Sequence, residues 1–265
     1  MAQLIPANDV HDPRLDDFRA LSTADRRPDR PGGRGLVIAE GTVVVRRLLA
    51  SEYPVRALLG VSRRIEELAP DLANVHVPAY VASAELMAEV VGFHLNRGVL
   101  AVADRAPRPP VARIVAGSRV VAVLEGVGDH ENLGALFRNA AALGVGGVLL
   151  GPGCSDPLYR RSVRVSMGNV LRVPFAAVDS WPEGLKVLRD NGFKIAALTP
   201  RPDSVPLREL AGEKVALLLG AEGPGLTDVA LAAADVAIRI PMAPGVDSLN
   251  VATAAAVAFY ELTGR

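Results

Sequence analysis

Apolar residues along most of this chain alternate between short runs and helical spacings. From Leu36 the runs LVIAEG, VRALLGV, VHVPAYVA and GVLAVADR read as strands, and TVVVRRLLAS, RRIEELAPDL and SAELMAEVVGF between them repeat with helical period. After a proline-rich break the alternation resumes. VVAVLEGV, VGGVLLG, VLRVPFAAV, KIAALTP, VALLLG and VAIRIP are strands, with helices at DHENLGALFRNAAALG and around WPEGLKVLRDNG. Near-continuous apolar strands interleaved with helices predict an α/β protein whose larger sheet is mostly parallel and covered on both faces.

The same pattern divides the chain. Residues 1–34 are rich in Asp, Arg and Pro and carry few apolar positions, which predicts a flexible tail with at most a short helix at DPRLDDFRAL. Residues 35–105 form a small alternating unit. Pro107, Pro109 and Pro110 favour an extended linker over 106–117, and a second domain follows over 118–265.

Composition narrows the function classes. At 265 residues the chain can bury one large core or two modest ones, and half of its residues are hydrophobic. No run approaches the ~18 apolar residues of a membrane helix, and the start lacks a basic-then-apolar secretory order. A soluble cytoplasmic protein is expected. Cys154 is the single cysteine, which excludes an intrachain disulfide framework, and His11, His76, His94 and His130 lack ligand spacing, so no metal is expected. The formal net charge of zero does not announce a nucleic-acid binder. The 29 basic residues, nearly all arginine, could still meet phosphates if folding clusters them.

Candidate chemistry gathers in three stretches. Ile238–Phe259 reads as strand, polar loop and helix: Pro241 ends the strand, Pro244 and Gly245 turn the chain, Asp247 and Ser248 suit a helix start, and helical spacing runs from Leu249. Ser248 and Asn250 then stand at the positive end of a helix, where polar and anionic ligands are favoured. A lone Ser-Leu-Asn is explained by capping alone. The other two stretches change that reading: ENLGALFRNAAALG carries Asn132, Gly134 and Arg138, and LLLGAEGPGL carries Gly220, Glu222 and Gly223.

Together with Ile240–Met242 and Ser248–Asn250, these motifs resemble those of the SpoU-type, or TrmH-type, RNA ribose 2′-O-methyltransferases of the SPOUT class. The resemblance is specific over 119–262 and looser over 36–105, and residues 1–34 lie outside it. It implies a C-terminal domain with a trefoil knot, S-adenosylmethionine as cofactor, and RNA as partner, with ribosomal RNA slightly favoured over transfer RNA. It also implies a homodimer in which one subunit's Arg serves the other's site. Residues 35–105 resemble an L30e-like RNA-binding domain, which would set Glu40, Gly41, Arg46, Arg47, Arg63 and Arg64 along the RNA. Asp156–Val170 is similar to the family's Arg-x-Ser-x-Gly segment through Arg164, Ser166 and Gly168. Ala221 and His130 depart from the common Asn and Pro at positions outside the reaction.

The resemblance carries roles onto particular residues. Arg138 would act on the ribose hydroxyl, and because a guanidinium has donors and no acceptor, the chemical reading is phosphate binding and oxyanion stabilisation. Asn132 and Asn250 would orient the hydroxyl or ribose, Ser248 would donate to phosphate or fix Asn250, and Glu222 would hold Arg138 or Asn132. Leu198, Thr199, Gly220, Ile240, Met242 and Leu249 would form the cofactor pocket, with Gly220 admitting the adenosyl group closely. Two rivals are weighed. Gly126, Gly128 and Gly134 do not space as G-x-G-x-x-G, against a nicotinamide enzyme, and no P-loop motif occurs. A non-catalytic RNA-binding or assembly factor would not need Asn132, Arg138, Glu222, Ser248 and Asn250 together.

Overall fold

In the computed structural model, which describes residues 2–27, 30 and 32–264, the chain forms two compact units. The first comprises Met1–Pro107 with Leu158–Arg172, and the second Arg108–Pro157 with Val173–Arg265.

The first unit holds a five-stranded mixed sheet. Its strands are β1 (Gln3–Pro6), β2 (Val37–Glu40), β3 (Val55–Gly60), β4 (Pro78–Val81) and β5 (Val99–Ala103), in the order β1-β4-β3-β5-β2. β1 and β3 flank β4 in parallel, whereas β5 runs antiparallel to both β3 and β2. The expectation of a flexible tail over 1–34 is corrected here. β1 is a sheet strand, and Leu15, Phe18 and Leu21 are fully buried against Ile38, Leu59 and Leu100. Leu15 and Phe18, three apart, lie on one side of a short 3₁₀ turn, Pro13–Phe18, that Asp12 caps, and Leu21 opens the short helix Leu21–Ala24 that follows. Arg34 closes the segment by donating to the carbonyls of Asp16, Asp17 and Arg19. A count of apolar residues misses this, because three well-spaced anchors with backbone ties suffice. The parts of the tail reading at Met1, Pro28, Asp29 and Pro31 lie outside the described residues.

A second correction concerns the Arg-x-Ser-x-Gly stretch, read from the sequence as part of the second half. Its helix, Arg160–Val165, packs on β2, with Ser162 and Val163 buried. The backbone N–H of Arg160 donates to Asp25 Oδ2 at 2.6 Å, and Arg47 donates to the Met167 carbonyl at 2.5 Å. Gly168 has φ 80° and is packed by Val44 and Arg47. Ser166 is buried and bonds back to the Val163 carbonyl, so this motif serves packing within the first unit.

The second unit is an all-parallel seven-stranded sheet of β6 (Val120–Leu124), β7 (Val148–Leu150), β8 (Phe175–Ala177), β9 (Lys194–Leu198), β10 (Val205–Pro206), β11 (Val215–Leu219) and β12 (Val236–Arg239). The order is β10-β12-β9-β11-β6-β7-β8, with β6 and β11 buried at every position. Side chains alternate between the two faces of a strand. Val121, Val123, Leu149, Ile195, Ala216 and Leu218 therefore share one face, under Leu185, Leu188 and Phe193. The expected linker is helical at its end: Val111–Ala116 buries Ile114 and Val115 in this core, since the prolines stop at Pro110 and act as a helix entry. The last helix, Val251–Thr263, packs on β6, on β11 and on the helix His130–Leu143.

Candidate active site

In an open parallel sheet, loops leaving the carboxyl ends of the strands form the natural crevice. Leu198 ends β9, Leu219 ends β11 and Ile240 follows β12, and these three ends surround a cavity of about 200 Å³. All six residues assigned to a cofactor pocket line it: Leu198, Thr199, Gly220, Ile240, Met242 and Leu249. Glu222 and Ser248 line it too, as do Leu219, Val251 and Ala254, which sequence reasoning missed. The missed positions flank motif residues on the same strand end or helix face, so strand register was the signal available.

The turn Gly220–Gly225 shapes one wall. Gly225 N–H donates to the Ala221 carbonyl at 3.0 Å, and Gly223 and Gly225 adopt φ of 88° and 72°, which glycine enters without a Cβ clash. Gly220 has a packing requirement besides its place in the cavity lining. A Cβ there would lie 2.3 Å from both Gly225 C and Leu226 N, so its bare α-carbon admits the chain's own returning backbone. The turn holds Glu222 exposed at the cavity mouth.

Two helix starts deliver the amides that meet this carboxylate. Asp129 caps the helix His130–Leu143 by accepting from Glu131 N and Asn132 N at 2.8 and 2.9 Å, which places Asn132 in the first turn. The last helix begins at Val251, two residues later than the spacing suggested. Asn250 is its cap, with Oδ1 accepting from Ala252 N at 3.0 Å and Thr253 N at 3.2 Å. That role commits the Asn250 oxygen to the helix and turns Nδ2 outward. Nδ2 donates to Glu222 Oε1 at 2.7 Å and to Asn132 Oδ1 at 2.8 Å, and Asn132 Nδ2 donates to Glu222 Oε2 at 3.0 Å. Each carboxylate oxygen thus holds one amide, and the three side chains close a ring. Acceptor capacity remains on the exposed Glu222 and on the half-buried Asn132 through its Oδ1.

Arg138 is not in this ring. Lying six residues beyond Asn132, it is rotated about 120° from it around the helix and is exposed, so Glu222 holds Asn132 and not Arg138. Ser248 is exposed at the cavity edge, and among the described residues nothing hydrogen-bonds its side chain.

Support for the turn comes from Glu125, which sequence reasoning passed over as a strand end. Its buried carboxylate accepts from Trp181 Nε1 at 2.8 Å, Thr227 N at 2.9 Å and Thr227 Oγ1 at 2.8 Å. A carboxylate closing a fully apolar strand was the available cue, since a buried charge must find donors. Burial pushes the Cys154 thiol up, and its Sγ donates to the Leu124 carbonyl, which suits a packed thiol rather than a nucleophile. Among the described residues no group of three His, Cys, Asp or Glu side chains could hold a metal ion, and no helix is long and apolar enough to cross a membrane.

Comparison with known proteins meets this geometry. The model of the SpoU rRNA methylase family matches residues 119–260, which hold the cavity and the amide–carboxylate ring. An uncharacterized tRNA/rRNA methyltransferase of Mycobacterium tuberculosis is 60% identical over 259 residues, covering 96% of this chain and 90% of its own. The AdoMet-bound rRNA methyltransferase of Sinorhizobium meliloti superposes with a TM-score of 0.81 at 25% identity, over 98% of each chain. The SpoU methyltransferase AviRb of Streptomyces viridochromogenes superposes with a TM-score of 0.77 at 25% identity, over 95% of this chain and 96% of its own.

Proposed function

The chain belongs to the SpoU rRNA methylase family, and on that premise we propose that it transfers a methyl group from S-adenosylmethionine to a ribose 2′-hydroxyl of structured RNA in the cytoplasm, ribosomal RNA slightly favoured over transfer RNA. The observation that carries the reading is the ring of Asn132, Glu222 and Asn250 at the mouth of the strand-end cavity.

The donor set fits the cofactor. Leu198, Leu219, Ile240, Met242 and Leu249 offer apolar walls for a purine and the methylene groups of the methionyl arm, while Thr199 and Ser248 offer hydroxyls at the edge. When bound, S-adenosylmethionine supplies a methyl carbon activated by its sulfonium. The chain's own task is then alignment of the nucleophile. Glu222 or Asn132 Oδ1 accepts from the single proton of the ribose hydroxyl and aims it, and the ring keeps both acceptors in one orientation. Accepting that proton's hydrogen bond also raises electron density on the hydroxyl oxygen. Ser248 donates to the adjacent phosphate.

Arg138 enters from a second copy. It stands apart from its own chain's ring, and the last helix exposes Val257 and Tyr260 at 42% and 59%, an apolar stripe suited to a two-fold partner. In the dimer the guanidinium binds phosphate and hydroxyl together and stabilises developing oxyanion character, with the proton leaving to phosphate or water. In this reading the last helix, packed on the helix His130–Leu143, closes a trefoil knot. The mixed sheet of the first unit is assigned as an L30e-like RNA-binding domain, with Arg46, Arg47, Arg63 and Arg64 along the RNA.

Methyl transfer from labelled S-adenosylmethionine into separated ribosomal and transfer RNA, with the product nucleoside identified by mass, tests the reading. A ribose-methylated nucleoside in one pool is expected. A base-methylated product, or no binding of S-adenosylmethionine by calorimetry, would overturn it.

A further inference from the structure

Asn139 stands one position from Arg138 and two helical turns beyond Asn132, on the same face of the helix His130–Leu143. No part of the family reading uses it. Its Nδ2 donates at 2.8 Å to the carbonyl of Ala252, in the first turn of the last helix. Ala252 is buried, and its own N–H is one of the two that Asn250 caps. A single peptide residue is therefore held from both sides, its N–H by Asn250 and its C=O by Asn139.

We infer that Asn139 is a positioning residue that sets the register of the last helix against the His130–Leu143 helix and so holds the Asn250 amide in the ring with Asn132 and Glu222. Apolar packing between the two helices is not directional, whereas two spaced hydrogen bonds fix roll and slide: Asn132 Oδ1 to Asn250 Nδ2, and Asn139 Nδ2 to Ala252 O, are separated by seven residues on one helix and two on the other. The Ala252 carbonyl has lone pairs for both its helical partner and Asn139, so the second contact costs the helix no bond of its own. Without the Asn139 donor, the Asn250 cap alone fixes where the last helix begins but not how far it sits from Glu222. Alignment is what this reaction needs from the chain, and a displacement of about 1 Å at a remote residue can cost on the order of a hundredfold in rate. This inference rests on the proposed function for its catalytic consequence, and on the hydrogen bonds alone for its structural one.

Two donor-free variants of similar size test it, Asn139→Asp and Asn139→Leu, the second without a charge. The first readout needs no activity: side-chain amide resonances of Asn250 and Asn132 in selectively asparagine-labelled protein, with their solvent exchange. Both variants are expected to shift the Asn250 amide pair and speed its exchange; unchanged resonances overturn the inference. The second readout is kinetic. A loss in kcat of roughly ten- to a hundredfold is expected, with affinity for S-adenosylmethionine held within about twofold. A lowered Tm with kcat at the wild-type value below unfolding would mean that Asn139 only packs the helices, and the inference would fall. Shifted resonances in a protein that transfers no methyl group would support the positioning role and sink the proposed reaction instead.

Discussion

Asn250 and Glu222 meet at 2.7 Å through the one orientation of the Asn250 amide that its cap allows. The Asn250 oxygen is taken by Ala252 N and Thr253 N, so the nitrogen must face the carboxylate. A residue that a capping rule explains completely thus also donates two of the ring's three hydrogen bonds. Cap and site chemistry are separable by substitution.

Asn250→Asp keeps an acceptor for the helix and removes both donors, setting a second carboxylate against Glu222. Methyl transfer is expected to fall about a hundredfold with little change in Tm. Asn250→Ala should show the same loss of rate and lose about 1 kcal/mol of stability with the cap. Single-turnover assays beside thermal melts distinguish the two; equal rates for wild type and Asn250→Asp would remove the ring from the mechanism.

Gly220→Ala forces a Cβ to within 2.3 Å of the Gly225 and Leu226 backbone, which cannot rotate away. The turn must shift, at a cost of about 1–3 kcal/mol, and it carries Glu222 with it. Lower Tm together with weaker S-adenosylmethionine binding by calorimetry is the expected result. An unaltered melt would show that the turn is looser than its contacts imply.

In the first unit Asp25 is 1% exposed, and its Oδ1 is buried without a hydrogen-bond donor among the described residues. Burial raises its pKa above the ordinary carboxylate value, more than the Arg160 N–H and the nearby Arg160 and Arg105 charges lower it. The folded state then binds the proton more tightly than the unfolded chain. Stability is highest below the unfolded pKa and is lost as pH rises through the window up to the raised folded pKa. Asp25→Asn should flatten that slope and be the more stable protein at neutral pH. Urea titrations at acidic and neutral pH check it, and a variant less stable at neutral pH would show that the Arg160 contact outweighs burial.

If Arg138 serves the partner's ring, Arg138→Ala and Asn250→Asp homodimers are each impaired, but a mixed dimer recovers one complete site. Co-refolding the two variants should restore up to roughly a quarter of wild-type turnover, since half the dimers are mixed and each has one working site of two. No recovery would place Arg138 in its own chain's site.

Much of the site was legible in the chain. Asn132, Glu222, Ser248 and Asn250 lie in short motifs at strand-to-helix junctions, and the apolar periods of β6, β11 and β12 put those junctions at the same end of a parallel sheet. Period 2 and period 3.6 are local properties, carried by neighbouring residues, and so were the cap at Asn250 and the turn glycines. The described part of the first 34 residues and the stretch 158–172 were misread because their structure depends on distant partners: Leu15 and Phe18 on the first unit's sheet, Arg160 on Asp25, Met167 on Arg47.

What the sequence determined by itself was the α/β class, the strand-end location of the candidate chemistry and the identity of its polar residues, because each is written in short-range pattern. Only the tertiary structure decided which groups touch. It separated Arg138 from the ring, showed that Gly220 must also admit the returning backbone, and brought in Asn139 and Glu125, which the motif positions do not include. Those outcomes turn on pairs such as Asn139 and Ala252, 113 residues apart, or Glu125 and Thr227, 102 apart. Contacts at such separation are fixed by the packing of whole helices and strands, not by the residues beside them.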